Sequence, residues 1–451
     1  VQLTRMGSLD MSQPASGVMK MMKRLRGSKK PSGASGAKQM KMLRRLPRIL
    51  RFIPGKAQDL RAYFLSMQYW LGGSDDNIVA LVSFLVQRYA TGPRAALARG
   101  LSAPEPVEYP ETGLYHPALK DRMATDLSAL PAPTRPQATV GLLLLRAYVL
   151  AGDTAHYDAV IEAFEARGLR VIPAFAAGLD GRPAMESYFR KRGVTAVDAV
   201  VSLTGFSLVG GPAYNDSGAA EEALATLDVP YVSAHALEFQ TLEQWKGSAS
   251  GLGPVEATMM VALPEIDGAT NPTVYAGRSS APGAARSMRP DPERVERLAA
   301  RVAKLAHLRR SEVAARKVAV VLYGFPPNAG AVGTAAYLSV FESLWNTLHA
   351  MRAEGYTVDL PESVDALRAM VLHGNSAQYG QQANVIARLP ADDLVARAPH
   401  LKEIEAQWGP APGRAQSDGS GVFVLGAQLG NVLVGVQPAF GYEGDPMRLL
   451  F

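Results

Sequence analysis

The sequence predicts a multidomain α/β protein, in which parallel-sheet βαβ units follow a mainly helical N-terminal region. Two observations support this fold class. The chain has 451 residues, of which 47% are hydrophobic, enough for about two to four globular domains. From about residue 137 onward, short apolar runs alternate with amphipathic helical stretches, as in proteins built on a parallel sheet.

Composition excludes several classes of protein. The chain contains no cysteine, which rules out a disulfide-stapled scaffold, a thiolate metal site, an iron–sulfur protein and a cysteine nucleophile. No apolar run approaches the roughly 20 residues that span a bilayer, and no signal peptide is recognisable. We therefore expect a cytoplasmic protein. The chain starts with Val1 and stops inside a patterned stretch, so we also expect it to be a piece of something longer.

Positive charge is concentrated in the first segment, residues 1–56. This segment has 14 basic residues against the single acid Asp10, a net charge of +13, whereas the whole chain carries +6. One interpretation is a solvated connector, because residues 28–37 have linker composition. The other is a protein partner or a peripheral membrane contact with anionic lipid. We expect no nucleic-acid contact, because residues 1–51 lack aromatic side chains for base stacking.

Residues 57–136 are predicted to be mainly helical, with proline-rich connectors. A helix over 56–71 ends at a Gly-Gly pair, and Ser74 begins the next helix as its N-cap. Asp75 and Asp76 then match the helix dipole in the first turn, and this second helix extends to about residue 89.

A first α/β unit is predicted over 137–314. Strands are expected at 139–145, 169–175, 196–203 and 229–233, and helices at 154–167, 182–192, 219–227 and 291–310. We interpret the last of these helices as a spacer between units. Ligands of such sheets bind beyond the carboxyl ends of the strands, which here are 175–180, 204–216 and 233–239.

A second α/β unit is predicted over 315–451. It begins with a buried strand at 317–323 and a helix at 333–355. It continues with a helix at 363–373 and strands at 422–426 and 431–436.

The glycine-rich segment GFPPNAGAVGT (324–334) joins a predicted strand to a predicted helix. Backbone N–H groups at a helix N-terminus can hold phosphate or carboxylate, while the alternative is a glycine-permitted tight turn. The segment contains no lysine, so it is not a Walker A loop.

Two carboxylates follow an apolar run at 259–263 that we interpret as a strand. Glu265 and Asp267 lie two residues apart in PEIDG, so an extended backbone would point both in the same direction. The pair suits a hard cation such as Mg²⁺ or a proton relay, and the alternative is an acidic turn. The seven histidines include no pair with the spacing of a helical metal site.

A second candidate site follows the last predicted strand, in GVQPAFGYEGD (435–445). Gln437, Glu443 and Asp445 supply polar groups, while Phe440 and Tyr442 supply flat faces. An aromatic and carboxylate loop at a strand end suits a flat ligand that receives a metal. The alternative is an ordinary loop.

From about Tyr115 onward the sequence resembles the magnesium chelatase family, in its large, porphyrin-binding (H) component of the bacteriochlorophyll type. The stretches that carry the resemblance are 141–146, 155–160, 170–175, 229–231, 239–241, VALPEIDG (261–268), FPP (325–327), VGTAAYL (332–338) and 435–451 with its GYEGDPMRLL. The terminal motif is the most specific of them.

The resemblance implies a subunit that binds protoporphyrin IX and hosts Mg²⁺ insertion. It also implies two partners, an AAA+ ATPase (I) subunit that hydrolyses ATP and a D subunit. On this basis we expect Glu443 and Asp445 to be catalytic and to contact the metal. We expect Gln437, Phe440 and Tyr442 to bind the porphyrin. The alternatives are a cobalt chelatase large subunit, a non-catalytic porphyrin carrier, or an unrelated α/β sugar- or nucleotide-binding protein.

Overall fold

The computed structural model describes residues 47, 48, 50–52, 56–211, 215–280, 287–323, 332, 333, 335, 337–413 and 416–437. The chain divides into two compact units between Arg309 and Arg310. The finer domain bounds at 56/57, 136/137 and 314/315 stay predictions.

Two helices open the described part of the first unit, as the sequence predicts. Helix α1 spans Lys56–Gly72 and helix α2 spans Asp75–Tyr89. The chain turns between them at Gly73, whose φ of +66° favours glycine. The Ser74 side chain then accepts a hydrogen bond from the backbone N–H of Asn77 at 3.3 Å, which caps α2.

An eight-stranded sheet forms the centre of the first unit. In chain order its strands are β1 (Thr112–Tyr115), β2 (Met123–Ala124), β3 (Thr139–Leu145), β4 (Arg170–Ala176), β7 (Ala199–Ser202), β8 (Tyr231–Thr241), β9 (Thr270–Arg278) and β10 (Arg289–Pro290); a separate hairpin pairs β5 (Arg190–Lys191) with β6 (Val194–Thr195). The order across the sheet is β10-β9-β8-β7-β3-β4-β1-β2. The five central strands are parallel and the outer ones pair antiparallel. The predicted α/β class with a parallel sheet is confirmed.

Helices cover both faces of this sheet. They are α3 (Arg146–Leu150), α4 (Ala155–Glu165), α5 (Arg182–Tyr188), α6 (Ser217–Leu227), α7 (Leu242–Gly247), α8 (Pro254–Glu256), α9 (Leu263–Ile266) and α10 (Pro292–Arg310). Alternate residues of β3 face opposite ways, so Leu142 packs in one core with α4 and α10. Leu143 packs in a second core with α5 and α6.

Two expectations for the first unit are wrong. The run at 259–263 is not a strand, because Ala257–Ala262 forms a π-helical turn between α8 and α9. A short apolar run fits a strand or a helix equally well, and here helical hydrogen bonding prevails. Helix α10 is not a spacer either. Its apolar residues recur at helical spacing and are buried in the core beside β3: Val295, Leu298, Ala299, Val302 and Ala306.

The second unit has a four-stranded sheet, in the order β11-β14-β13-β12. The strands are β11 (Val318–Leu322), β12 (Val385–Pro390), β13 (Gly421–Leu429) and β14 (Val432–Val436); the helices are α11 (Val340–Ala353), α12 (Val364–Leu372), α13 (Ser376–Tyr379), α14 (Ala391–Arg397) and α15 (Leu401–Trp408). Among these described strands, β11 and β14 pair in parallel, whereas β13 pairs antiparallel with both β14 and β12. Helices α11 and α12 pack against one face of this sheet, and together they form the hydrophobic core of the second unit.

Helix α11 begins seven residues later than the sequence predicts. Gly333 has a φ of +72° and Tyr337 a φ of +62°, and neither angle fits a right-handed helix. Gly333 and Tyr337 are therefore not part of the helix.

Candidate functional site

The carboxyl ends of β11 and β14 lie side by side in the second unit. Leu322 is the register partner of Val436, and the backbone N–H of Gln437 donates to the carbonyl of Leu322 at 2.9 Å. The two segments that the sequence singled out, 324–334 and 435–445, therefore leave the sheet at the same edge. The structure thus places side by side two strand ends that are more than a hundred residues apart in the sequence.

Gln437 is half-buried at this edge, so its side chain is still open to a ligand. Tyr323, the residue after β11, is 68% exposed, and its carbonyl accepts from the N–H of Gly333 at 3.2 Å. Sequence reasoning missed Tyr323, although an aromatic residue between an apolar strand and a glycine-rich segment was a usable signal. An amide and an exposed aromatic ring can contact the edge and the face of a flat ligand.

Four predicted site residues lie outside the described residues: Phe440, Tyr442, Glu443 and Asp445. Most of the segment 324–334 does as well. Their roles stay predictions, and Gln437 is the member of the predicted loop whose position the structure gives.

Glu265 and Asp267 belong to the first unit, and the expectation that they point in the same direction is wrong. Glu265 is in helix α9 and is exposed, whereas Asp267 caps that helix and is 2% exposed. Residues two apart in helical backbone point to opposite sides, because a helix turns about 100° per residue. The Asp267 Oδ2 atom accepts from the N–H of Leu208 at 2.7 Å. Its Oδ1 atom has no hydrogen-bond partner among the described residues.

Metal binding by Glu265 and Asp267 stays a prediction. A single ion held by both carboxylates does not fit the exposure of one and the burial of the other. Across the described ranges, no group of three or more His, Asp or Glu side chains is placed to hold a metal ion.

A pocket lies at the carboxyl ends of β3, β4 and β7 in the first unit. Its walls come from residues 143–145, 176–181 and 202–208, with single gaps, so two of the three strand ends predicted to face a ligand line one pocket. The chain leaves β3 toward β4 and then returns to β7 on the other side of β3. Doubly wound sheets bind ligands at such a reversal of strand order.

Polar groups line this pocket. The hydroxyls of Ser202 and Thr204 are hydrogen-bonded at 2.9 Å, and the Asp180 carboxylate accepts at 2.7 Å from the guanidinium of Arg182, which follows the last lining residue of that segment. This ion pair raises the pKa of Arg182. The two hydroxyls and the Asp180 carboxylate can bind a small polar molecule by hydrogen bonds.

Two of the three buried imidazoles in the described part of the first unit, those of His156 and His235, lie on opposite faces of the sheet. Burial lowers the pKa of His156 to about 3 and that of His235 to about 4, so both are neutral near pH 7. None of their ring nitrogens has a hydrogen-bond partner in the part of the chain that the structure describes. They are therefore poor candidates for acid–base catalysis at neutral pH.

Within the described residues, no helix is both long and apolar enough to cross a membrane. Residues 1–46, which hold most of the basic segment, lie outside them.

Two family models match the chain. The model described as CobN/Magnesium Chelatase covers residues 67–451, and a domain of unknown function (DUF3479) covers residues 1–64. The magnesium-chelatase large (H) component of Cereibacter sphaeroides is 62% identical over the whole chain, and that of Rhodobacter capsulatus is 59% identical. The chain spans 39% of the length of each of these two proteins.

Cobaltochelatases are more distant. The aerobic cobaltochelatase subunit CobN of a Sinorhizobium species is 28% identical over 86% of the chain. Among solved structures, the catalytic subunit of cobaltochelatase from Mycobacterium tuberculosis matches with a TM-score of 0.59 and 26% identity, over 84% of this chain and 31% of that one. This match supports the α/β multidomain fold.

Proposed function

Because this chain belongs to the CobN/magnesium chelatase family, we propose that it is part of the large subunit of a magnesium chelatase. That subunit would bind protoporphyrin IX and insert Mg²⁺ into it, toward bacteriochlorophyll. The observation that carries the proposal is the high identity to the large (H) components of magnesium chelatases over the entire chain, against the much lower identity to cobaltochelatase subunits. Cobalt insertion is the weaker alternative.

We propose that ATP is hydrolysed on partner subunits, an AAA+ ATPase (I) subunit and a D subunit. The glycine-rich segment 324–334 lacks the lysine with which a Walker A loop contacts phosphates, and this supports a separate site for ATP.

The carboxyl edge of β11 and β14 is our proposed porphyrin site. Gln437 and the adjacent Phe440 and Tyr442 would contact the macrocycle. Insertion requires removal of water from Mg²⁺, which dehydrates reluctantly, and removal of two pyrrole protons from the porphyrin. Glu443 and Asp445 would replace water oxygens on the metal and accept those protons.

Replacing Glu443 with glutamine tests this assignment. We expect Glu443→Gln to lower the rate of insertion by about 100-fold, because loss of a proton acceptor typically costs 10²–10⁴-fold. Porphyrin affinity should stay the same, since the side chain keeps its size. The measurement is Mg-porphyrin formation by the full enzyme with both partners and ATP, next to a porphyrin titration followed by tryptophan quenching.

Glu354→Gln is the matched control, because Glu354 is an exposed carboxylate at the end of α11, away from the proposed site. Glu354→Gln should change neither the rate of Mg²⁺ insertion nor the affinity for porphyrin. Unchanged turnover in Glu443→Gln would refute the catalytic role. Porphyrin binding without any insertion by the unaltered complex would instead favour the non-catalytic carrier.

We also propose a cytoplasmic location with peripheral membrane contact through residues 1–56. The net charge of +13 supports it, since each Lys or Arg near an anionic surface contributes about 1 kcal/mol. Sedimentation with phosphatidylserine vesicles, lost in 0.5 M salt or on removal of the segment, is the test.

A further inference from the structure

Strand β11 has an open edge. Among the described residues it pairs only with β14, at the end of the four-stranded sheet. The N–H of Val318 donates to Asn431 at 3.0 Å, on the β14 side. Backbone groups alternate along a strand, so those of Ala319 and Val321 point away from β14, toward the open edge. The strand, VAVVL, carries no charge or proline of the kind that normally protects such an edge.

One face of the same sheet is also incompletely covered. Val318 and Val320 pack against the second unit's core, so Ala319 and Val321 point to the opposite face, where Val321 is 49% exposed. Leu433 of β14 and Val424 of β13 lie on that opposite face and are also outside the core. Strands that are apolar on both faces are typical of sheets buried on both sides.

The handedness of crossover connections indicates what would cover the open edge of β11 and the exposed face of the sheet. The connection from β11 to β12, at the far side of the sheet, crosses the core face through α11 and α12, and the chain then returns through β13 to β14 beside β11. Suppose that a further strand follows β14 and pairs with the open edge of β11. The connection from β14 to that strand would cross the sheet in the direction opposite to the connection that leaves β11. A right-handed crossover, the strongly preferred hand, then puts the connecting helix on the opposite face. One helix and one strand would thus cover the open edge and the exposed face together.

We propose that the open edge of β11 and the face around Val321 bind an αβ segment of the same polypeptide, with its strand parallel to β11. The relatives have room for such a segment, because this chain spans only 39% of their length. The boundary between β11 and β14 would then be a reversal of strand order, where α/β sheets bind ligands. The inference rests on the sheet and on the length of the relatives, and not on the proposed function.

The test uses the full-length polypeptide, at the length of its relatives. Val321→Lys should lower its thermal midpoint by about 4 °C or more, because a covered face cannot accommodate a charge. Val79→Lys is the matched control, since Val79 is an exposed valine of α2 in the first unit (66% exposed), and should shift the midpoint by less than about 1 °C.

Hydrogen exchange of the unaltered protein gives a second readout, should Val321→Lys fail to fold. With residue-level fragmentation, the amides of Ala319 and Val321 should exchange as slowly as that of Val320, which points to β14. The proposal would be overturned if the amides of Ala319 and Val321 exchanged fast while that of Val320 exchanged slowly. It would also be overturned if the Val321→Lys variant were as stable as the control variant. A dimer that Val321→Lys dissociates would overturn it as well, because a second copy would then be the occupant.

Discussion

His156 is a neutral imidazole among tyrosine rings. Its ring centroid lies 3.9 Å from that of Tyr157, 5.1 Å from that of Tyr148 and 6.0 Å from that of Tyr275. Burial lowers its pKa from 6.5 to about 3, so protonation is much harder in the folded chain than in the unfolded one. Between these two values the unfolded state binds the extra proton, and stability of the first unit must fall as the pH falls.

His156→Phe should weaken that pH dependence. Phenylalanine keeps a ring in the tyrosine cluster but cannot be protonated. The unfolding free energy of the variant should therefore fall less steeply between pH 6 and pH 4 than that of the unaltered protein, by about 1.4 kcal/mol per pH unit. Urea unfolding at several pH values measures this pH dependence of the unfolding free energy. The exposed His307 supplies the control, and His307→Phe should leave the slope as it is. An unchanged slope in His156→Phe would show that His156 is protonated equally easily in both states.

Elements with a strong local pattern were predictable from sequence. Strand β3 was expected at 139–145 and is found there, because a continuous apolar run before a polar helix start leaves few alternatives. The prediction of a strand at 259–263 was wrong, because the length and composition of this apolar run suit a strand and a helical turn alike. The contact of Gln437 with Leu322 could not be predicted, since it depends on long-range strand pairing and not on local pattern.

Gly426 in β13 illustrates a requirement that only the three-dimensional structure shows. Its φ is +140°, and a Cβ atom there would lie 1.9 Å from the carbonyl oxygen of Val434. Gly426→Ala should therefore destabilise the second unit by about 3 kcal/mol, from backbone strain and overpacking. Its register partner Gly435 is the matched control, because a Cβ there would come no closer than 4.0 Å to the Val320 oxygen.

Gly435→Ala should change the unfolding free energy by less than about 1 kcal/mol. Chemical denaturation of both variants settles the comparison. Equal effects of the two substitutions would contradict the close approach of β13 and β14 at Gly426.

At the scale of the whole molecule, each unit has its own hydrophobic core. Leu142 is fully buried in a core of the first unit, and Leu348 is fully buried in that of the second. Because domains generally unfold as separate cooperative units, we expect two transitions in denaturant.

Leu142→Ala should lower only one transition and Leu348→Ala only the other, each by about 2–5 kcal/mol, as is usual for a large cavity in a core. Peptide-resolved hydrogen exchange assigns each transition to its unit. If either substitution shifted both transitions equally, the two units would form one cooperative body.

The pairing of β11 with β14 also sets the order in which the chain can assemble during translation. The ribosome must add more than a hundred residues after Val318 before its register partner Val432 exists, which takes about 10 s at roughly 10 residues per second. Throughout that interval the nascent β11 has no β14 to bind and is a natural client for a chaperone. The edge that we propose for porphyrin therefore cannot form until β14 has been synthesised.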